Sequence, residues 1–474
     1  MSRLRRGAIA LVASTTGLAG LALTGGTASA THFSPPCLVV TADTTLSEDL
    51  GPCDGHGIVV RADNVTLDLN GHTVTGAKRA MEQVGILLAG VSGVTVKNGT
   101  VTGFDAGVSI EGGGGNTVTG MDVHGNVNDM IEPIDPRSIQ RTFPPTPEQV
   151  HQLSLVECTY GDGITTFDSD GNVIEGNTVT GNGPYGGITL VNDSNGNVVR
   201  GNHVADNDLE NMGVTSDGTT PVWVAGGVHV PAGTEGASRP PAMCGATEIG
   251  TPGMSRGRRM QASNIRVEGP GADENLVESN TVVKGGLAGI SIHSYVAFPA
   301  APQVPPQDPN LNNVIKGNDV SRTGEDTSEV DPFADGIVSL SSGPIGRVTM
   351  PSHSNTIVGN RSYDNFRHGV ALHTATHDNT VDRNFATGNG GNGIHVAEGA
   401  VENSLMANHG RGNAGYDGFD GNEGCDDNLW KANNLRTFNQ PCVVPGASGQ
   451  ALGRGGAGAG NSADAPGGMA RPGR

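Results

Sequence analysis

Residues 355–384 read NTIVGNRSYDNFRHGVALHTATHDNTVDRN, and this stretch decides the fold. It opens and closes on one kind of hexamer: Asn, four residues, Asn, with an apolar residue third. The copies here are NTIVGN (355–360) and NTVDRN (379–384). Others are NVIEGN (172–177), NVVRGN (197–202), NLVESN (275–280), NVIKGN (313–318), NSLMAN (403–408) and NLWKAN (428–433). Where no insertion intervenes, the starts fall 24 or 25 residues apart. Between hexamers lies a Gly followed by an alternating apolar strand: GITLV (187–191), GISIH (289–293), GVALH (369–373) and GIHVA (393–397). A fixed period with several short strands per unit predicts a solenoid. Each coil buries little alone, and stacking buries a continuous core. Asn at equivalent turns is expected to take the left-handed conformation and to hydrogen-bond to its neighbour along the stack.

Composition agrees. Gly is 75 of 474 residues and aromatics are 4%, a mixture suited to short strands and tight turns rather than helices. The first 30 residues combine a basic start (MSRLRR), the apolar run AIALVASTTGLAGLAL and the small-residue site ASA at 28–30. That pattern is expected of a secretory signal peptide, and no later stretch has the length of a membrane helix. Without Arg3, Arg5 and Arg6 the chain carries 25 basic and 48 acidic residues, a net −23. Nucleic-acid binding is therefore not expected, and an acidic polymer needs a local basic cluster. Six cysteines in an exported chain read as disulfides. Of 15 pairings, proximity favours Cys37–Cys53 and Cys425–Cys442, leaving Cys158–Cys244. Each of the first two closes a loop of about 16 residues, worth roughly 3 kcal/mol.

The repeats resemble the pectate-lyase-like superfamily of secreted bacterial proteins. NVTLDLNGHTVTG (64–76) is similar to their first coils, and CDDNLWKANNLRTFNQPC (425–442) to their closing segment. The resemblance spans about residues 37–445. It implies an all-β, single-stranded right-handed parallel β-helix of about ten to twelve coils, and a protein that engages extracellular polysaccharide as a monomer. It does not fix the reaction. The superfamily includes lyases, hydrolases, epimerases, NosD-type copper-accessory proteins and proteins without a known reaction. The organisation expected is leader 1–30, solenoid 31–445, and a disordered Gly/Ala-rich tail 446–474. Insertions interrupt the period near 128–160, 203–262, 296–311, 321–335 and 341–353.

Alternation places Ile290, Ile292, Val370, Leu372, Ile394 and Val396 inward. It places His293, His373 and His395 outward, with His229 of GVHV read the same way. His293 and His373 share a column two coils apart, roughly 10 Å at the usual strand spacing. Proton abstraction from a uronate needs a cation, a base and an acid. Arg367 or Arg361, His373 and Tyr363 are the candidates, with His293 beside them. His395, His229, Arg361 and Trp223 are candidate substrate contacts, and His377 in THDN reads as a turn residue. The same set suits a lyase or an epimerase. Hydrolysis would draw on a pair among Asp162, Asp168, Asp335, Asp417 and Asp420. A copper or zinc site on His293, His373 and His395 is disfavoured by their spacing. No cofactor is expected beyond calcium on Asp326, Asp331 and Asp335. The alternative to an enzyme is a non-catalytic glycan-binding or structural β-helix. It is disfavoured by scarce aromatics, of which Trp223, Tyr185, Tyr295 and Phe298 are the candidates.

The cysteine pattern generates a direct prediction. Thiol titration of the denatured, unreduced protein will find no free thiol, and six will appear after reduction. Six thiols before reduction would exclude the staples.

Overall fold

The computed structural model describes residues 34–77, 83–126, 162–183, 186–191, 193–207, 263–269, 271–286, 288–295, 309–324, 334–342 and 351–444. It also gives the backbone of three short strands between 212 and 229. The expected solenoid is present. One parallel sheet of twelve strands runs the length of the stack, so the described residues make twelve coils. This long sheet is one side of every coil. Its later rungs are Asp162–Phe167, Gly186–Val191, Ser263–Glu268, Ala288–Tyr295, Asp335–Ser342, Val370–Leu372, Ile394–Val396 and Gly418–Asp420, which we number coils 5 to 12.

Each hexamer supplies the second side. Thr356–Val358 pairs with Val314–Lys316 on one coil and Thr380–Asp382 on the other. The residues just after the hexamer form the third side, as in Arg361–Tyr363 between Asp319–Ser321 and Phe385–Thr387. The inward positions are as the alternation requires. Ile290, Ile292, Val370, Leu372, Ile394 and Val396 are all fully buried in one continuous core.

Asparagine holds the corners. The Oδ1 of Asn384 accepts from the backbone N–H and the Nδ2 of Asn360, both at 3.0 Å. The Nδ2 of Asn384 donates in turn to Ile357 O and to Asn408 Oδ1. The first Asn of each hexamer builds a second ladder, Asn355 to Asn379 to Asn403 to Asn428. A third ladder runs through Asn365, Asn389 and Asn413 and ends on Asp417. In the units that begin at 172, 197, 355, 379 and 403 the motif is therefore Asn at every fifth residue, three times, rather than one pair. The left-handed residue is not the ladder Asn but the one before it: Gly359, Arg383 and Ala407 precede Asn360, Asn384 and Asn408. The Asn side chain itself is needed for the ladder.

Cys37–Cys53 and Cys425–Cys442 are bonded, with Cα atoms 5.7 and 6.0 Å apart. Cys158 and Cys244 lie outside the described residues, as do the leader and the tail. The second insertion begins later than expected, because His203–Ala205 is a regular third-side strand and Asn207 still belongs to a ladder. All five insertions enter the chain immediately before or after a long-sheet strand.

The ladder makes a stability prediction. Asn384→Ala strands two buried donors on Asn360 and removes two further bonds, a loss of about 3 kcal/mol or more. Exposed Asn434→Ala should change stability by less than about 0.5 kcal/mol. Denaturant unfolding that shows equal effects would refute the ladder's role.

Candidate functional site

The outer surface of the long sheet carries the chemistry. Leading Gly residues mark the bend into each strand, and the residue before that Gly faces outward: Asp162, Asp335, His368 and Asn392. The next outward column runs Thr165, Thr189, Arg266, Ser291, Val338, Ala371 and His395. The third runs Phe167, Val191, Glu268, His293 and Leu340. His373 follows Leu372 one coil beyond Leu340, and its N–H donates to Ser339 O. The expected two-coil offset of His293 and His373 is thus observed. These side chains are not the half-exposed groove wall that alternation alone suggests. His293, His395 and His373 are 2, 5 and 9% exposed.

Asp335 sits at the centre, fully buried. Its Oδ2 is 3.1 Å from His373 Nε2. Its Oδ1 accepts the His368 backbone N–H at 3.0 Å and lies 3.9 Å from Arg367 Nε. A Nε2–H bond to the carboxylate leaves the His373 lone pair on Nδ1, the tautomer a general base requires. Ala288, Val338, Leu340 and Ala371 form a small apolar cluster on this same outer surface, which lowers the dielectric around the pair.

Two neutral imidazoles adjoin it. His368 and His395 stack with ring centroids 4.0 Å apart and planes within 5°. The Asn392 N–H donates to His368 Nδ1 at 2.8 Å. Asn392 Oδ1 accepts from Tyr416 N–H, which turns its Nδ2 onto His395 Nδ1 at 2.9 Å. The network therefore assigns the Nε2–H tautomer to both rings. Burial first, and then the electrostatic influence of His395, Arg367 and His373 against a second positive charge, hold His368 well below the ordinary imidazole range. Burial, Arg367 and His373 do the same to His395.

A second polar group lies toward the N-terminal coils. Arg266 pairs with Glu268, and His293 Nδ1 is 3.5 Å from Glu268 Oε1. Burial pushes His293 down to about 3, helped by the Arg266 and His373 charges; the Glu268 carboxylate is committed to Arg266. Asp162 accepts from the hydroxyls of Thr165 and Thr189, and burial raises its pKa.

Sequence reasoning missed Arg266, Glu268, Asn392 and the central place of Asp335. SNIRVE (263–268) follows the outward alternation but has Asn264 where other strands have Gly, so a search keyed on Gly passes over it. Asp335 reads as an ordinary pre-Gly turn residue until its column is known.

Other candidates fall elsewhere. Tyr363 and Arg361 lie on the third side of the coil, with Arg361 exposed, 3.4 Å from Asp319 and 5.7 Å above the Tyr363 ring. Neither joins His373. The backbone around Trp223 and His229 forms an antiparallel three-stranded sheet, with Met212 opposite Trp223 and Val224 opposite His229, so His229 is not a rung of the long sheet. Asp417 terminates an Asn ladder, Asp420 accepts from Trp430 Nε1 at 2.7 Å, and Asp168 occupies a left-handed turn. Asp326 and Asp331 lie outside the described residues, while both oxygens of Asp335 face His373, His368 and Arg367 rather than a calcium position. Among the described residues the group with metal-ligand spacing is His377, Asp378 and Glu402 on an exposed turn, not His293, His373 and His395.

The sequence signature of the right handed beta helix region matches residues 52–223 and 255–434. The chain belongs to the right-handed β-helix family. No curated protein matches this β-helix in sequence. Solved structures similar to it include an alginate lyase from Paenibacillus sp. str. FPU-7 (10% identity, 80% of this chain and 91% of that chain, TM-score 0.38). Another is the periplasmic alginate epimerase AlgG (11% identity, 74% of this chain and 70% of that chain, TM-score 0.39). A third is PfbA, a surface adhesin of Streptococcus pneumoniae (11% identity, 82% of this chain and 76% of that chain, TM-score 0.39).

The buried imidazoles give this β-helix a pH signature. His293, His368 and His395 are held neutral in the fold but take up a proton near pH 6.5 when unfolded. The unfolded state then binds more protons, so stability is fully present above about pH 6.5 and falls as the pH drops toward about 3. The melting temperature should decline across that window, and His293→Gln should flatten the decline. A parallel profile in the variant would contradict the assignment.

Proposed function

We propose that this β-helix binds an acidic polysaccharide against the outer surface of its long sheet and cleaves it by β-elimination. The observation that carries the reading is the Asp335–His373 pair beside Arg367. Arg367 and His373 keep 13 and 11% of their side-chain surface open, whereas Asp335 keeps none. A sugar carboxylate neutralised by Arg367 has a more acidic neighbouring C–H. His373 Nδ1 takes that proton, and Asp335 fixes the ring and stabilises the imidazolium. The electrons left on carbon form the ring double bond and expel the glycosidic oxygen. The imidazolium returns its proton to that oxygen, so the pair ends as it began. Tyr363, on another side of the coil, is not placed to be the acid. A single acid–base group favours elimination over epimerisation, which requires a donor on the opposite face of the sugar ring.

The second reading is a non-catalytic glycan binder, favoured by the deep burial of His293, His368 and His395. An extracellular location accords with the two disulfides, and no helix among the described residues is long and apolar enough to cross a membrane.

The purified chain should be incubated with alginate, pectate, hyaluronan and chondroitin, with and without calcium. Unsaturated-sugar absorbance and new reducing ends are recorded together. We expect absorbance with one acidic polymer, reduced about 100- to 10,000-fold in His373→Ala and Asp335→Asn. Full activity in His373→Ala would refute the mechanism, new reducing ends without absorbance would shift the case to hydrolysis, and binding with neither signal would leave an epimerase or a non-catalytic binder.

A further inference from the structure

The outer surface of the long sheet holds a donor that the mechanism above does not use. His368 is 5% exposed, its Nδ1 accepts the Asn392 N–H, and its Nε2 has no hydrogen-bond partner among the described residues. With Nδ1 occupied by a donor, the proton of the neutral ring is on Nε2. A buried N–H without an acceptor is destabilising, and an acceptor supplied from outside the chain is one way to offset that cost. The ring is also firmly placed. It stacks on His395, which stacks on Phe419 with centroids 5.0 Å apart, and its own backbone N–H is fixed to Asp335.

The surroundings select the acceptor. The neighbouring Arg367 is a cation close enough to act on both stacked rings. The nearest carboxylate, Asp335, is already engaged by His373, Arg367 and the His368 N–H. What remains is a fixed N–H donor beside a guanidinium, which suits an anionic acceptor more than a neutral hydroxyl.

We infer that His368 is a specificity-determining residue whose Nε2–H donates to the carboxylate of an acidic sugar held by Arg367. The inference rests on the acidic-polysaccharide reading and adds the group that distinguishes a free carboxylate from its ester or a neutral sugar. A neutral imidazole suits this task because it donates without adding a second positive charge beside Arg367. It also retains the donor where a protonated ring would break its bond from Asn392.

The test uses the full chain and three probes: tetramers of galacturonate, of mannuronate and of methyl-esterified galacturonate. Their affinities are measured by calorimetry for the wild type, His368→Phe and His368→Gln. Phe keeps a stacking ring without a donor, and Gln restores an N–H near the Nε2 position. Loss of one such bond to a charged acceptor should weaken binding of an acidic tetramer about tenfold in His368→Phe. The ester should bind all three proteins alike, and Gln should recover part of the loss. Nitrogen-edited NMR of the wild type labelled at histidine should show His368 protonated at Nε2, with that resonance shifting on addition of the acidic tetramer.

Wild-type affinity in His368→Phe, or a ring protonated at Nδ1, would overturn the inference and leave the proposed function standing. If the wild type binds neither acidic tetramer, tetramers of hyaluronan and chondroitin are tested in the same way, and binding of none of the four would overturn both. If His368→Phe does not fold, the wild-type tautomer and the Gln variant still decide the matter.

Discussion

The amide-to-amide ladder of asparagines is the constraint on which the structure depends. Each ladder Asn places one oxygen on the backbone N–H and side-chain amide of the coil before it, then passes its own Nδ2 onward. These groups are buried, and burying an unpaired amide is expensive. A slip of one residue at any coil would therefore leave several donors without acceptors. Hydrophobic burial favours stacking in general, since Val and Ile can replace one another along the core. The ladder makes one register far better than its neighbours.

Fixed register turns a list of residues into columns. His293 and His373 occupy one column because every coil between them keeps step, and Leu340 separates them. The same step places Asp335 of coil 9 under His373 and beside His368 of coil 10, although 38 and 33 residues separate them along the chain. The site is thus a consequence of stacking, with donors and acceptors contributed by successive coils rather than by one loop. Its geometry is carried by rigid strands, as positioning of reacting groups requires.

Burial then gives the groups their character. Exposed ionic pairs on the other sides of the stack, such as Arg200 with Glu175, exchange with solvent and contribute little. On the outer surface of the long sheet the same residue types are almost dry. Imidazoles there stay neutral, and a carboxylate such as Asp335 is held by several donors at once. That arrangement is costly unless all partners are present, so the polar residues of this surface act in sets.

The sequence determined the repeat, its period, the inward strand positions and two of the three described staple-and-ladder systems directly: the hexamer Asn residues and the terminal disulfides. The third Asn of several units, as at 365, 389 and 413, was equally legible and follows the same five-residue step, while Gly285, Thr323 and Phe438 take its place in others. The outward position of His373 and the place of Arg367 just before its strand were also readable, because alternation and position near a strand are local properties. Tyr363 was misplaced for the complementary reason: closeness along the chain does not say which side of a coil a residue occupies. Asp335, Arg266 and Glu268 became visible only in three dimensions. Their significance is relative, set by which side chains neighbouring coils bring alongside and by how much water is excluded. A one-dimensional pattern specifies which way a residue faces; only the stack decides what it faces.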